Sequence, residues 1–76
     1  MFKQIDNKHK WVNFESGESV TISQDKNNLY VTHRSKPDNN GIMDIISQKI
    51  FGSPLNKMQQ KKALNYAKNK FNLELT

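Results

Sequence analysis

The chain contains no cysteine, only two prolines and three glycines, and a single tryptophan among 76 residues. Without cysteine there is neither a disulfide framework nor a thiolate metal site. No apolar run exceeds three residues, so no segment can cross a bilayer as a helix. The opening stretch, MFKQIDNKHKWV, has no apolar core of the signal-peptide kind. There is no internal repeat and no low-complexity tract. These absences predict one cytoplasmic domain, residues 1–76. A chain this short buries only about 60% of the surface it exposes when unfolded.

Catalytic constellations are missing as well. A nucleophile needs an adjacent base, and the only histidines, His9 and His33, lie in no nucleophile or metalloprotease motif. The seven carboxylates show no paired spacing, and three glycines build no phosphate loop. His9 and His33, with Asp38 as a weak third ligand, make a poor zinc site. The expectation is a non-enzymatic protein with no cofactor and no metal.

What the chain does carry is positive charge. Twelve cations against seven acids leave a net charge of +5, a field that attracts nucleic acid or an acidic protein surface. Met1 to Asn40 hold six cations and five acids, a net of +1; Gly41 to Thr76 hold six lysines against Asp44 and Glu74, a net of +4. The basic character belongs mainly to the C-terminal half.

Periodicity supplies the elements. HKWVNF, His9 to Phe14, reads as a short strand. Ser19 to Ser23 alternates, as does Leu29 to Arg34, and the polar loop QDKNN between them predicts a β-hairpin. SKPDNNG breaks the pattern, and Asn40 is placed to cap a helix beginning near Gly41 or Ile42. Ile42, Ile45, Ile46 and Ile50 then form an i, i+3, i+4, i+8 stripe. With Ile46 buried in that stripe, Ile46→Ala would cost about 2–5 kcal/mol. Gly52 and Pro54 end the segment. A second helix is predicted from Leu55 to Asn69 or Phe71, with an apolar stripe of Ala63, Leu64, Ala67 and Phe71 and with Leu55 and Met58 in its first turn. The predicted fold is α+β: a small antiparallel βββ sheet region over 8–34, and a two-helix region over 41–71 packed on one of its faces.

Two cationic–aromatic patches are candidates for nucleic-acid binding. Tyr30 and Arg34 share the strand face opposite Leu29 and Val31, with Lys36 just beyond. If helices cover the Leu29 face, this one is open, and open sheets with an aromatic residue and an arginine take single strands. Lys62, Tyr66 and Lys70 follow one another at i+4 steps along one helical ridge, where a tyrosine between lysines could stack on a base. The plainer alternative is that Tyr66 rests on the sheet and the lysines solvate the helix.

The segments SVTIS, LYVTH, NNGIMDII, KALNYAKNKF and LEL together resemble the small N-terminal zinc-binding domain of bacterial and phage DNA primases. They also resemble its degenerate zinc-less copies in primase-like and relaxase-like proteins of mobile elements. The resemblance covers roughly Trp11 to Leu75. It implies ligand positions near Lys10, Asn13, His33 and Lys36, of which at most one is a ligand type here. Metal function would then be lost, an affinity for single-stranded template could persist, and Trp11, Phe14 and the isoleucine stripe would replace the metal crosslink. The resulting expectation is a nucleic-acid-binding accessory domain, for single-stranded DNA, in replication or DNA processing of a phage or mobile element. The alternative is a small element-encoded protein that binds and modulates a polymerase, helicase or nuclease.

Overall fold

The structure is a computed structural model that describes residues 1–5 and 9–73. Five strands run in chain order as an antiparallel meander: β1 (Phe2–Gln4), β2 (Lys10–Asn13), β3 (Ser19–Gln24), β4 (Leu29–Arg34) and β5 (Ile45–Phe51). One helix, α1 (Lys57–Phe71), follows. Local chemistry makes the turns. Asn13 Oδ1 accepts from the backbone N–H groups of Glu15 and Ser16, and Gly17 takes the left-handed backbone (φ 79°) that closes the β2–β3 turn. In the β3–β4 turn, Asp25 Oδ1 accepts from the N–H groups of Asn27 and Asn28, each at 2.8 Å.

Strand alternation sorts the side chains onto two faces. The register pairs Trp11 with Val20, Ile22 with Val31 and Leu29 with Phe51. This face receives α1. The helix is apolar along Ala63 and Ala67, which are fully buried, so its backbone approaches the sheet closely over Trp11, Val20, Leu29 and Val31. Phe2, Ile22, Phe51, Leu64, Tyr66 and Phe71 pack around that core. Asn56 caps the helix by accepting from the Met58 and Gln59 N–H groups at 2.9 and 3.4 Å. Asn72, in the left-handed region, ends it. Lys68 and Lys70 lie in the last turn, where the helix dipole favours cations.

The expected βββ sheet with two helices on one face is corrected to five strands and one helix among the described residues. The segment Ile42–Phe51 is not a helix. Ile45–Phe51 pairs with β4 as the edge strand β5, with a bulge opposite His33 and Arg34. Two causes act together. Isoleucine is β-branched and favours the extended chain, and β4 offers a row of backbone groups that needs a partner. The intended cap is also used otherwise: Asp38 Oδ1 accepts from the N–H groups of Asn40 and Ile42, forming a turn that delivers the chain to β5. Leu55 precedes the helix and is 88% exposed, and Met58 in its first turn is also exposed. β1, which the sequence reading did not assign, adds the strand beyond β2.

The isoleucine stripe consequently holds no core. Ile42, Ile45, Ile46 and Ile50 are all more than half exposed, and so is Phe14. Of Trp11, Phe14 and the isoleucine stripe, only Trp11 is buried in the core. Ile46→Ala is therefore expected to cost about 1 kcal/mol or less in dilute solution, the range for an exposed strand position. Urea denaturation followed by far-ultraviolet circular dichroism checks this, and a loss above about 2 kcal/mol would return Ile46 to a buried site.

Candidate nucleic-acid interface

Because α1 covers one side of the sheet, the other side is left without a layer. The register places Lys3, Lys10, Thr21, Tyr30, Thr32 and Arg34 on that uncovered face. Among the described residues, no strand position on this face holds a carboxylate. Lys3 and Lys10 escaped the sequence reading. β1 had not been assigned, and the face of Lys10 is set only by its neighbour Trp11 turning into the core. Neither FKQ nor KWVN alternates cleanly, so no local pattern marks the face of these two lysines.

Hydrogen bonds hold the central groups. Arg34 Nη1 donates to Thr21 Oγ1 at 2.8 Å, which lays the guanidinium across β3. Gln48 Nε2 donates to Thr32 Oγ1 at 3.1 Å from the β5 side, and Thr32 is buried beneath these longer side chains. The Tyr30 hydroxyl donates to Asp25 Oδ2, which tilts the phenol towards the hairpin end while leaving the ring partly exposed. Lys36 lies exposed beyond β4. Its stem packs on the β2–β3 turn, where a methyl group added to Gly17 would come within 2.8 Å of Lys36 Cγ.

The Tyr30–Asp25 bond also sets ionisation. The phenol hydrogen bond is the main influence holding the Asp25 carboxyl below its ordinary value, helped by the N–H groups of Asn27 and Asn28. The same bond pushes the Tyr30 phenol up. A carboxyl depressed by folding contributes stability above the unfolded value of about 3.9, and that contribution is lost as pH falls through the folded value. Tyr30→Phe is expected to move the Asp25 titration upward and to weaken this acid dependence. Side-chain carboxyl ¹³C shifts followed from pH 2 to 6 measure it. An unchanged Asp25 midpoint would assign the depression to the backbone donors alone.

The second patch is arranged differently. Lys62, Tyr66 and Lys70 do share one ridge of α1, but this ridge lies on the helix side of the sheet, away from Tyr30 and Arg34. Tyr66 packs edge-on against Phe51 (5.6 Å between centroids, 62°). Lys70 Nζ donates to the Tyr66 hydroxyl at 3.0 Å and sits 5.4 Å from the ring centre. These contacts hold the ring against β5 and the end of α1, and Lys62 is an exposed cation beside it. The two patches are not brought together.

Among the described residues, no group of three or more His, Asp or Glu side chains is placed to hold a metal ion. His33 Nε2 lies 2.9 Å from Glu18 Oε1, and its ring packs edge-on against Phe2 and Phe71. His9 instead stacks on Trp11. His33 therefore shares no donor set with Lys10, Asn13 or Lys36, and these residues do not fit a zinc knuckle. An open groove of about 580 Å³ runs between α1 and the β3–β4 hairpin, floored by Ile22, Leu29 and Leu64 and edged by Lys57 and Lys61. It adds cations on the helix side without an acid–base pair. No helix among the described residues is long and apolar enough to cross a membrane.

Of the segments that carry the primase resemblance, SVTIS and LYVTH form the β3–β4 hairpin and KALNYAKNKF lies in α1. NNGIMDII is loop and strand instead of helix. In LEL, Glu74 and Leu75 lie outside the described residues. The chain matches no family model, no curated protein and no solved structure.

Proposed function

We propose that this protein is a non-enzymatic domain that binds single-stranded nucleic acid on the uncovered face of its sheet. One observation carries the reading: the helix closes one face and leaves the other with Lys3, Lys10, Arg34 and the partly exposed ring of Tyr30, and with no carboxylate at any strand position among the described residues. Cations meet phosphates, the ring stacks on a base, and the hydroxyls of Thr21 and Ser23 accept or donate along the strand. A duplex keeps its bases stacked on one another and gives Tyr30 nothing to stack on. An accessory role in replication or DNA processing on a phage or mobile element rests on the primase resemblance alone, and single-stranded DNA is the ligand it favours.

Fluorescence anisotropy with labelled single-stranded DNA, single-stranded RNA and duplex DNA across a salt series tests the reading. Saturable binding to single strands is expected, weakening steeply with salt. Tyr30→Ala should lower the affinity by about 1–3 kcal/mol. No saturable binding at low salt would remove the proposal. The modulator of a polymerase, helicase or nuclease would then take its place, a reading that the unpaired outer edge of β5 favours.

A further inference from the structure

We propose that β5 pairs with β5 of a second copy of this chain, joining two sheets into one across a two-fold axis. The proposal stands whether or not the uncovered face binds nucleic acid.

The argument begins with the hydrogen-bond alternation of an antiparallel ladder. The Ile22 N–H bonds to the His9 carbonyl, so Ile22 points its backbone groups at β2. Carried across the register, Leu29, Val31 and His33 point theirs at β5, and Lys49 and Phe51 answer them. The Ser35 N–H bond to the Asp44 carbonyl, at 2.8 Å, agrees with that alternation. The amides and carbonyls of Gln48 and Ile50 therefore face outward along the sheet's edge.

The two sheet edges differ. β1 has three residues and carries Lys3, a short, charged edge of the kind that resists pairing. β5 has seven residues, one charge at Lys49, and three isoleucines that are 53–57% exposed. Its bulge sits at one end, which leaves Ser47–Phe51 regular. An edge of this kind is a template for another strand.

A second copy fits it for reasons of register, charge and area. With Gln48 opposite Gln48 of the other copy, Lys49 faces Ser47 twice, and each Ile50 meets the bulged end of its mate at Ile46. Sliding by one pair would set Lys49 against Lys49, a like-charge contact directly across the strands. Antiparallel pairing also lays the start of one β5 beside the end of the other. Ile42 and Met43 of each copy then approach Leu55 and Met58 of its mate, and all four are exposed. These four with the three isoleucines offer roughly 500 Å² of apolar surface per copy. A stable interface buries about 800 Å² per partner, a little over half of it apolar. The two-fold uses both copies of β5, so assembly stops at the dimer. An axis perpendicular to the sheet leaves both uncovered faces on the same side.

Sedimentation equilibrium from about 1 µM to about 1 mM, spanning weak to moderate affinities, should show the mass rising from 8.9 kDa towards twice that value. Ile50→Lys, at an exposed position, should retain the circular dichroism spectrum and hold the chain at the monomer mass. Because the chain lacks cysteine, single cysteine variants report the register. Gln48→Cys should form an intermolecular disulfide on mild oxidation, with Cα atoms about 5.5 Å apart. Lys49→Cys should not, since the offset separates its Cα atoms by roughly 8 Å. A wild-type chain that stays monomeric throughout the series overturns the proposal. Equal cross-linking of the two cysteine variants overturns it as well, because association would then lack this register.

Discussion

Trp11→Ala is expected to cost about 3–5 kcal/mol, as much as a small core without disulfides or metal supplies in total. Trp11 is fully buried on the helix face of β2, paired in register with Val20 and stacked by His9. The two helical residues that press most closely on this core are alanines, Ala63 and Ala67, and their short side chains cannot fill the space an indole leaves. The variant should be largely unfolded at 25 °C. Urea titration must be followed by circular dichroism, because the substitution removes the only tryptophan. Leu29→Ala, at the other end of the same core, should fall in the range of about 2–5 kcal/mol. A Trp11→Ala loss below about 1.5 kcal/mol would mean that the core is centred elsewhere.

The triple variant Lys3→Glu, Lys10→Glu, Arg34→Glu should lower affinity for single-stranded DNA by on the order of 100-fold at low salt. Each phosphate contact on a single strand contributes about 0.7 to the slope of log affinity against log salt, so losing three flattens that slope by about 2. Lys62→Glu with Lys70→Glu, on the opposite side of the sheet, should leave the slope nearly unchanged. This pairing separates a localised site from a general response to net charge. Arg34→Glu alone also breaks the bond to Thr21 Oγ1, so about 1 kcal/mol of stability goes with it. Lys3→Glu, at an exposed position, gives the cleaner comparison. If the helix variant weakens binding as much as the sheet variant, the uncovered face is not the site.

Parts of this arrangement are legible in the amino-acid sequence. The alternation in Ser19–Ser23 and Leu29–Arg34 and the loop between them specify the central hairpin, because turn chemistry and period agree there. The same alternation put Tyr30 and Arg34 on one face, away from Leu29 and Val31. Helix α1 was legible within two residues of its start, since Ala63, Leu64, Ala67 and Phe71 keep one spacing over the whole segment. The helical ridge was legible as a ridge, but the engagement of Tyr66 by Phe51 and Lys70 was not, because Phe51 belonged to a segment assigned to a helix.

The amino-acid sequence by itself determined the hairpin, the last helix, the face of Tyr30 and Arg34, and the want of thiolate ligands. Only the tertiary structure decided the segment from Ile42 to Phe51. Its isoleucines match a helical period at 42, 45, 46 and 50, while Ile46, Gln48 and Ile50 match a strand, and no local rule separates the two patterns in so short a run. The unpaired edge of β4 made the choice, by offering hydrogen bonds to a β-branched segment already leaving a turn. That non-local pairing created the exposed edge at β5, and the single helix it left behind uncovered the face that Lys3, Lys10 and Arg34 share.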